Sequence, residues 1–279
     1  MGWLAAARTG EVEGGGCRLR WVEVGPAGAP AVLFLHGFSQ SALAFCAQLE
    51  AGAPAGRRLV AADLRGHGRS DKPAGAGAYR DPGLWAADVA ALVAACGPAP
   101  PVVVAWSYGA RVVMDYLALH GDAALAGLVL VGARLSTAPE HSDAGAGALI
   151  AAMGEADPRV SVPAAVEFMH RCTAAPLPGP MFARQLAASM LTPAAVRRAL
   201  TNRPLDAAPL LARLTRPLML VHGCEDRVVP ASGSDWAMAM APRGRTQLLC
   251  LPGVGHAPFL EVPERFDTAL AGFCAGLPG

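Results

Sequence analysis

The 279-residue chain is 53% hydrophobic and 16% charged, with a formal net charge of +1. Average soluble proteins carry about 25% charged residues, and the shortfall here is alanine spread along the whole length, which suits an Ala-rich globular protein. No stretch approaches the ~20 apolar residues that span a bilayer, the start lacks the basic and apolar pattern of a secretory signal, and near-neutral charge gives no electrostatic case for nucleic acid or anionic lipid.

In chain order, residues 19–24 read as a strand, in a hairpin turned through Gly14-Gly15-Gly16. Residues 31–35 are a compact apolar strand followed by His36-Gly37, and 58–63 are another, ending in Leu64-Arg65-Gly66-His67-Gly68. The Ala/Gly/Pro stretch 73–78 reads as a loop. A helix is expected over 81–96, with Asp81 as N-cap and Pro82 at its first position. Residues 102–106 form a buried-type strand that runs directly into a helical pattern through Leu119. Residues 125–131, 217–221 and 246–251 are further strands, and a last helix covers 263–275.

Apolar strands alternating with helices predict an α/β fold, a mostly parallel, doubly wound sheet covered on both faces. Residues 134–211 break the alternation: they show helical pieces at 146–153, 163–172, 181–190 and 193–200, punctuated by prolines. The predicted organisation is a core in two parts, 1–133 and 212–279, split by a helical insertion over 134–211. That insertion either caps the catalytic edge of the sheet or packs on one sheet face.

The seven cysteines form no CxxC pair. They read as reduced, buried thiols of a cytoplasmic protein, with neither a zinc site nor a disulfide framework.

The chemistry is concentrated in a few loops. In Val102-Val103-Val104-Ala105-Trp106-Ser107-Tyr108-Gly109 a strand passes through a serine into a helix. A serine on so tight a turn needs small neighbours two residues away, and Ala105 and Gly109 meet that need. The helix N-terminus also offers free backbone N–H groups to negative charge. This segment resembles the nucleophile elbow of α/β-hydrolases, with Ala105 in place of the usual first glycine. Tyr108 N–H is then the first oxyanion donor, and Leu35-His36-Gly37-Phe38 supplies the second through Phe38 N–H.

Serine requires a base. Of seven histidines, only His256 lies in a loop after the last strand, in Gly253-Val254-Gly255-His256-Ala257-Pro258. His222-Gly223-Cys224-Glu225-Asp226-Arg227-Val228-Val229-Pro230 resembles the family's acid loop, with Asp226 at the acid position and Glu225 as its competitor. Asp63-Leu64-Arg65-Gly66-His67-Gly68-Arg69-Ser70 resembles a further, structural loop of the same family. His36 and His67 are read as structural.

The joint resemblance is to the α/β-hydrolase superfamily, in its serine-nucleophile, esterase or haloperoxidase-like branch. It implies a carboxylic ester hydrolase with catalytic Ser107, Asp226 and His256, acting through an acyl-enzyme on a small hydrophobic ester, with no metal or organic cofactor. Carbon–carbon bond hydrolase, lactonase, perhydrolase, hydroxynitrile lyase and non-catalytic ligand-binding readings share the scaffold. Epoxide hydrolases and dehalogenases of the family use a carboxylate nucleophile, against which Ser107 argues. An acyl-carrier-protein methyl esterase is a further alternative, with Arg184, Arg197, Arg198 and Arg203 either docking an acidic carrier or forming a solvated face. The expected pocket lining is Phe38, Trp106, Tyr108, Phe168 and Met181, joined by Met153, Met169, Phe182 and Met190, an apolar and flexible wall that would tolerate many substrates.

Overall fold

A computed structural model describes residues 7–52, 56–136, 141, 143–201 and 203–277. Eight strands form one sheet: β1 (Arg8–Glu13), β2 (Arg18–Val24), β3 (Ala31–Leu35), β4 (Arg58–Asp63), β5 (Val102–Trp106), β6 (Gly127–Val131), β7 (Leu218–Gly223) and β8 (Thr246–Leu251). Their order across the sheet is β1-β2-β4-β3-β5-β6-β7-β8. The first hairpin is antiparallel and meets β4 antiparallel. Every pairing from β4 to β8 is parallel.

The parallel strands need both faces covered, and β3, β5 and β6 are buried along their whole length. Twelve helices among the described residues do the covering, with a short 3-10 turn at Ala42–Phe45. They are α1 (Cys46–Ala51), α2 (Gly77–Arg80), α3 (Pro82–Ala95), α4 (Tyr108–His120), α5 (Ala144–Met153), α6 (Pro158–Arg171), α7 (Gly179–Met190), α8 (Ala194–Leu200), α9 (Ala208–Ala212), α10 (Ser232–Met240), α11 (Pro258–Glu261) and α12 (Pro263–Ala275). Between β6 and β7 the described residues are helical and contain no strand. No helix among them is long and apolar enough to cross a membrane.

Successive residues of a strand face opposite sides, and the sheet separates two cores accordingly. Leu33, Leu35, Val103 and Ala105 pack with α3 and α4. Val32, Phe34, Val102, Val104 and Trp106 pack with Phe45, Phe259 and Phe266.

Local chemistry sets the helix ends. Asp81 caps α3 by accepting from Gly83 N–H at 2.7 Å, and Pro82 fills the first position. Asp157 caps α6, whose interior contains Pro163. Pro163 therefore does not interrupt that helix, as its sequence context suggests. Likewise the expected loop at 73–78 gives way to a short helix from Gly77.

The strand order reverses where β3 lies between β4 and β5. In open α/β sheets the crevice at such a reversal, outside the C-terminal strand ends, is where ligands bind. The loops leaving β3 and β5 carry Phe38 and Ser107 to that crevice.

Candidate active site

Ser107 adopts φ 52° and ψ −109°. Among the described residues only Ser39 shares a positive φ without being glycine. Such a conformation costs about 1–3 kcal/mol and persists only when its surroundings over-determine it. Here Ser107 N–H donates to Val131 O at 2.9 Å, and Ser107 O accepts from Ala110 N–H at 3.1 Å. Helix α4 leaves the turn so close to β3 that a Cβ on Gly109 would overlap Leu35 O. That contact is the physical reason for glycine after the serine. Ala105 is fully buried, with no room problem for its methyl group.

The backbone N–H groups of Phe38 and Tyr108 make no backbone hydrogen bond among the described residues. Gly37 lets the β3 loop pack on the elbow, its ideal Cβ position lying 3.3 Å from Ser107 Cβ.

The ring of His256 is buried, and its Nδ1–H donates to Asp226 Oδ2 at 2.7 Å. Asp226 Oδ1 accepts from Val228 N–H at 2.8 Å and Val229 N–H at 2.9 Å. Burial opposes the Asp226 charge, but His256 and His222 beside it outweigh burial and hold the carboxyl well below the usual carboxylate range. Glu225 is exposed, so Asp226 and not Glu225 meets the imidazole. The His256 loop is tied to the elbow by Trp106 Nε1–H, which donates to His256 O at 2.9 Å.

Several supports escaped the sequence reading. Gly132, at φ 49°, sits so near His256 that a Cβ there would lie 2.8 Å from Nδ1. Glu261 accepts from Gly255 N–H and from Ala174 N–H, each at 2.7 Å, and so joins the His256 loop to the segment after α6. His222 is a second imidazole on Asp226.

The remaining motif residues are structural. His36 Nδ1–H donates to Gly37 O, and its Nε2 accepts from Leu64 N–H at 3.0 Å. Burial pulls its pKa down to about 4, so the ring is neutral. His67 donates to Arg65 O at 2.8 Å. Asp63 accepts from Ala42 N–H and Arg69 N–H. Arg65 makes a buried two-pronged pair with Asp88, at 2.6 Å and 2.7 Å.

A cavity of about 440 Å³ opens on Ser107. Phe38, Tyr108 and Phe168 line it as expected. Trp106 and Met181 do not. Trp106 follows Val102 and Val104 to the opposite sheet face, where its indole packs on Phe259. Met181 packs against that same second core. No methionine lines the cavity: Met153 is fully buried, Met169 Sδ accepts from the Gln40 amide, and Phe182 stacks on His170. The expectation of a flexible, methionine-rich wall is overturned. In its place stand aliphatic residues such as Ile150, Leu200 and Val229, together with Arg111, Arg134 and Arg203.

The arginine cluster read as a carrier surface is halved, with Arg198 exposed and Arg184 half-buried. Arg197 is buried and donates to Ser39 Oγ, Met153 O and Ser189 O. Arg203 is buried against Asp115.

Cys224 and Cys250, both exposed, stand paired as a disulfide across β7 and β8, with Cα atoms 6.0 Å apart. This corrects the expectation that every cysteine is a buried thiol. The other five are free and buried. Among the described residues no cluster of His, Cys, Asp or Glu could hold a metal ion.

A strained serine at a sheet reversal, its N–H bonded to Val131 O while the next residue, Gly132, packs on the His256 of a His–Asp pair, is the arrangement of an esterase-type hydrolase. Residues 32–269 match a family described as "Alpha/beta hydrolase family", and the chain belongs to that family. A protein named pimeloyl-[acyl-carrier protein] methyl ester esterase, from Xanthomonas oryzae pv. oryzae, is 30% identical over 262 residues, covering 89% of this chain and 96% of that protein. The Xylella fastidiosa protein of the same name is 46% identical over 65 residues, which span 23% of this chain and only 26% of that one. Among solved structures, a Burkholderia cenocepacia protein assigned as an aryl esterase superposes with TM-score 0.90 and 32% identity, over 96% of this chain and 98% of that one. The esterase RhEst1 from Rhodococcus sp. ECU1013 gives TM-score 0.86 and 32% identity, over 98% and 100%.

Proposed function

We propose that this protein hydrolyses carboxylic esters through an acyl-enzyme on Ser107, with His256 as general base, Asp226 orienting it, and the insertion between β6 and β7 roofing the cavity. The observation that carries the reading is the strained Ser107 facing a cavity, with a hydrogen-bonded His256–Asp226 pair whose imidazole packs on Gly132, the residue after the Val131 that accepts from Ser107 N–H. Because Asp226 accepts the hydrogen bond from His256 Nδ1–H and so holds the proton on that nitrogen, the Nε2 lone pair is left to receive one. Ser107 Oγ gives its proton to Nε2 and bonds to the ester carbonyl carbon. The carbonyl π electrons move to oxygen, where Phe38 and Tyr108 N–H groups donate to the new oxyanion. One such donor is worth about 3 kcal/mol of transition-state stabilisation. The intermediate collapses, the alkoxide leaves with the proton from His256, and water repeats the sequence to release the acid and free Ser107.

The test is labelling with a fluorophosphonate and mapping of the adduct. Modification of Ser107, with ester turnover lost in Ser107→Ala, is the expected result; undiminished turnover by that variant would refute the reading.

A carrier-bound methyl ester is the second reading, supported by the name of the Xanthomonas relative. The burial of Arg197 and Arg203 leaves only Arg184 and Arg198 of the four arginines to meet an acidic carrier, and a free, small ester is the reading put first. Equal rates on carrier-bound and free methyl esters are expected; a marked preference for the carrier-bound form would reverse the choice.

A further inference from the structure

The cavity wall carries guanidinium charge beyond what ion pairs among the described residues answer. Arg111 lies on α4 four residues after Ser107, and both side chains line the same cavity. It is 8% exposed and lines the cavity, and its Nη2 has no hydrogen-bond partner. Arg134, from the loop after β6, lines the same cavity. Neither has a carboxylate at ion-pair distance among the described residues.

The other charged groups nearby are already engaged. Arg203 pairs with Asp115 through Nη2 and donates from Nη1 to Tyr108 Oη at 3.1 Å. Asp143 caps α5 at Ala146 N–H and accepts from Arg171 Nη1, both at 2.7 Å. Two guanidinium charges are left over. Arg134 is exposed and keeps its charge hydrated, whereas burial disfavours the charged form of Arg111, yet arginine does not deprotonate in proteins. A buried, unanswered guanidinium is costly, and its planar fork matches a carboxylate.

We propose that the ester substrate bears a second, ionised carboxylate, which Arg111 binds while Arg134 adds the second positive charge. This rests on Ser107 being the nucleophile, and it deepens that reading by naming the substrate class. Helix α4 rises about 4.5 Å from Tyr108, next to Ser107, to Arg111, so the carboxylate sits a short chain away from the reacting carbonyl, about four to six carbons in a dicarboxylic half-ester. The expected substrate is thus anionic at one end, not the wholly hydrophobic ester anticipated from the sequence.

The experiment compares ethyl hydrogen glutarate with ethyl pentanoate, which has nearly the same shape and no charge. Wild-type kcat/KM is expected to favour the half-ester by about 10-fold or more, the scale of one charge-assisted hydrogen bond. Arg111→Gln is expected to bring that ratio near one, and Arg111→Lys to restore part of it. Fluorophosphonate labelling of Ser107 is run in parallel. Ready labelling with no wild-type preference for the half-ester overturns the inference and leaves the nucleophile intact; absence of labelling overturns both. Glutarate itself should slow labelling of the wild-type protein, an arm that needs no folded variant. No protection at millimolar glutarate likewise counts against the inference.

Discussion

His222 and Asp226 meet inside the protein at 3.1 Å, on the same carboxylate oxygen that receives His256 at 2.7 Å. His222 Nε2 faces Asp226 Oδ2 and Val229 O, both acceptors, so it carries the proton. Its Nδ1 lies 2.7 Å from Ser234 Oγ. With the Val228 and Val229 N–H groups, Asp226 is approached by four donors and has little freedom to turn away from His256.

The first prediction separates the two imidazoles. Asp226→Asn should lower kcat by about 10⁴-fold, because it destroys the tautomer that the base requires. His222→Phe should cost only about 10-fold, a modest loss of positioning, and should shift the acidic limb of the pH–rate profile. An unshifted limb in His222→Phe would show that His222 only fills space.

Stability should fall on both sides of neutrality, through different groups. Asp226 is ionised more readily folded than unfolded, so its contribution is present above an ordinary carboxylate pKa of about 3.9 and is lost as pH falls through the lower folded value. For His222, burial opposes the charge, but the hydrogen bond and charge of Asp226 raise the pKa. Its contribution is full below about 6.5 and is lost as pH rises through the folded value. Asp267 behaves in the same direction as His222. Burial pushes its carboxyl up to about 6, so its ionisation weakens the fold as pH rises from about 4. Asp267→Asn should therefore raise Tm at pH 8, by the equivalent of about 1–2 kcal/mol, and leave it nearly unchanged at pH 4. Thermal melts at the two pH values check the difference.

Gly132 carries a steric prediction. An alanine there meets His256 Nδ1 at 2.8 Å as well as an unfavourable φ. Displacing a catalytic ring by about 1 Å can cost about 100-fold in rate, and Gly132→Ala should lose that much kcat/KM. Gly28→Ala is the control: it shares a positive φ, 76°, with nothing near its Cβ. It should lose stability of about 1 kcal/mol and no activity.

Arg65 and Asp88 form a buried pair that also gathers Gly15 and Leu84 backbone groups. Removing one partner strands a charge in the interior. Arg65→Met should cost about 3–5 kcal/mol in urea unfolding, whereas replacing both partners with apolar residues should cost less.

Much of this molecule can be read from local pattern. Strands β3, β4 and β5 have the bounds that their apolar runs predict, since full burial leaves a continuous signature, and β8, buried only at its end, also matches. The Asp81 cap and the Pro82 start of α3 follow from side chains adjacent in the chain. What stayed hidden depends on contacts between distant segments. Cys224 meets Cys250 only once β7 and β8 align His222 with Cys250. Gly132 and Glu261 matter because of where the His256 loop lands, which no local spacing reveals. Two features were legible and went unread. Strand alternation alone sends Trp106 to the face of Val104, away from the cavity. The first turn of the helix that follows Ser107 likewise carries Arg111.

The backbone of Ser107 also bears on engineering. A glycine would sit at φ 52° without penalty, so Ser107→Gly relieves strain while deleting the hydroxyl. Selection for heat resistance alone would reward that inert protein, and a thermostabilising campaign must screen for turnover to avoid exchanging catalysis for endurance.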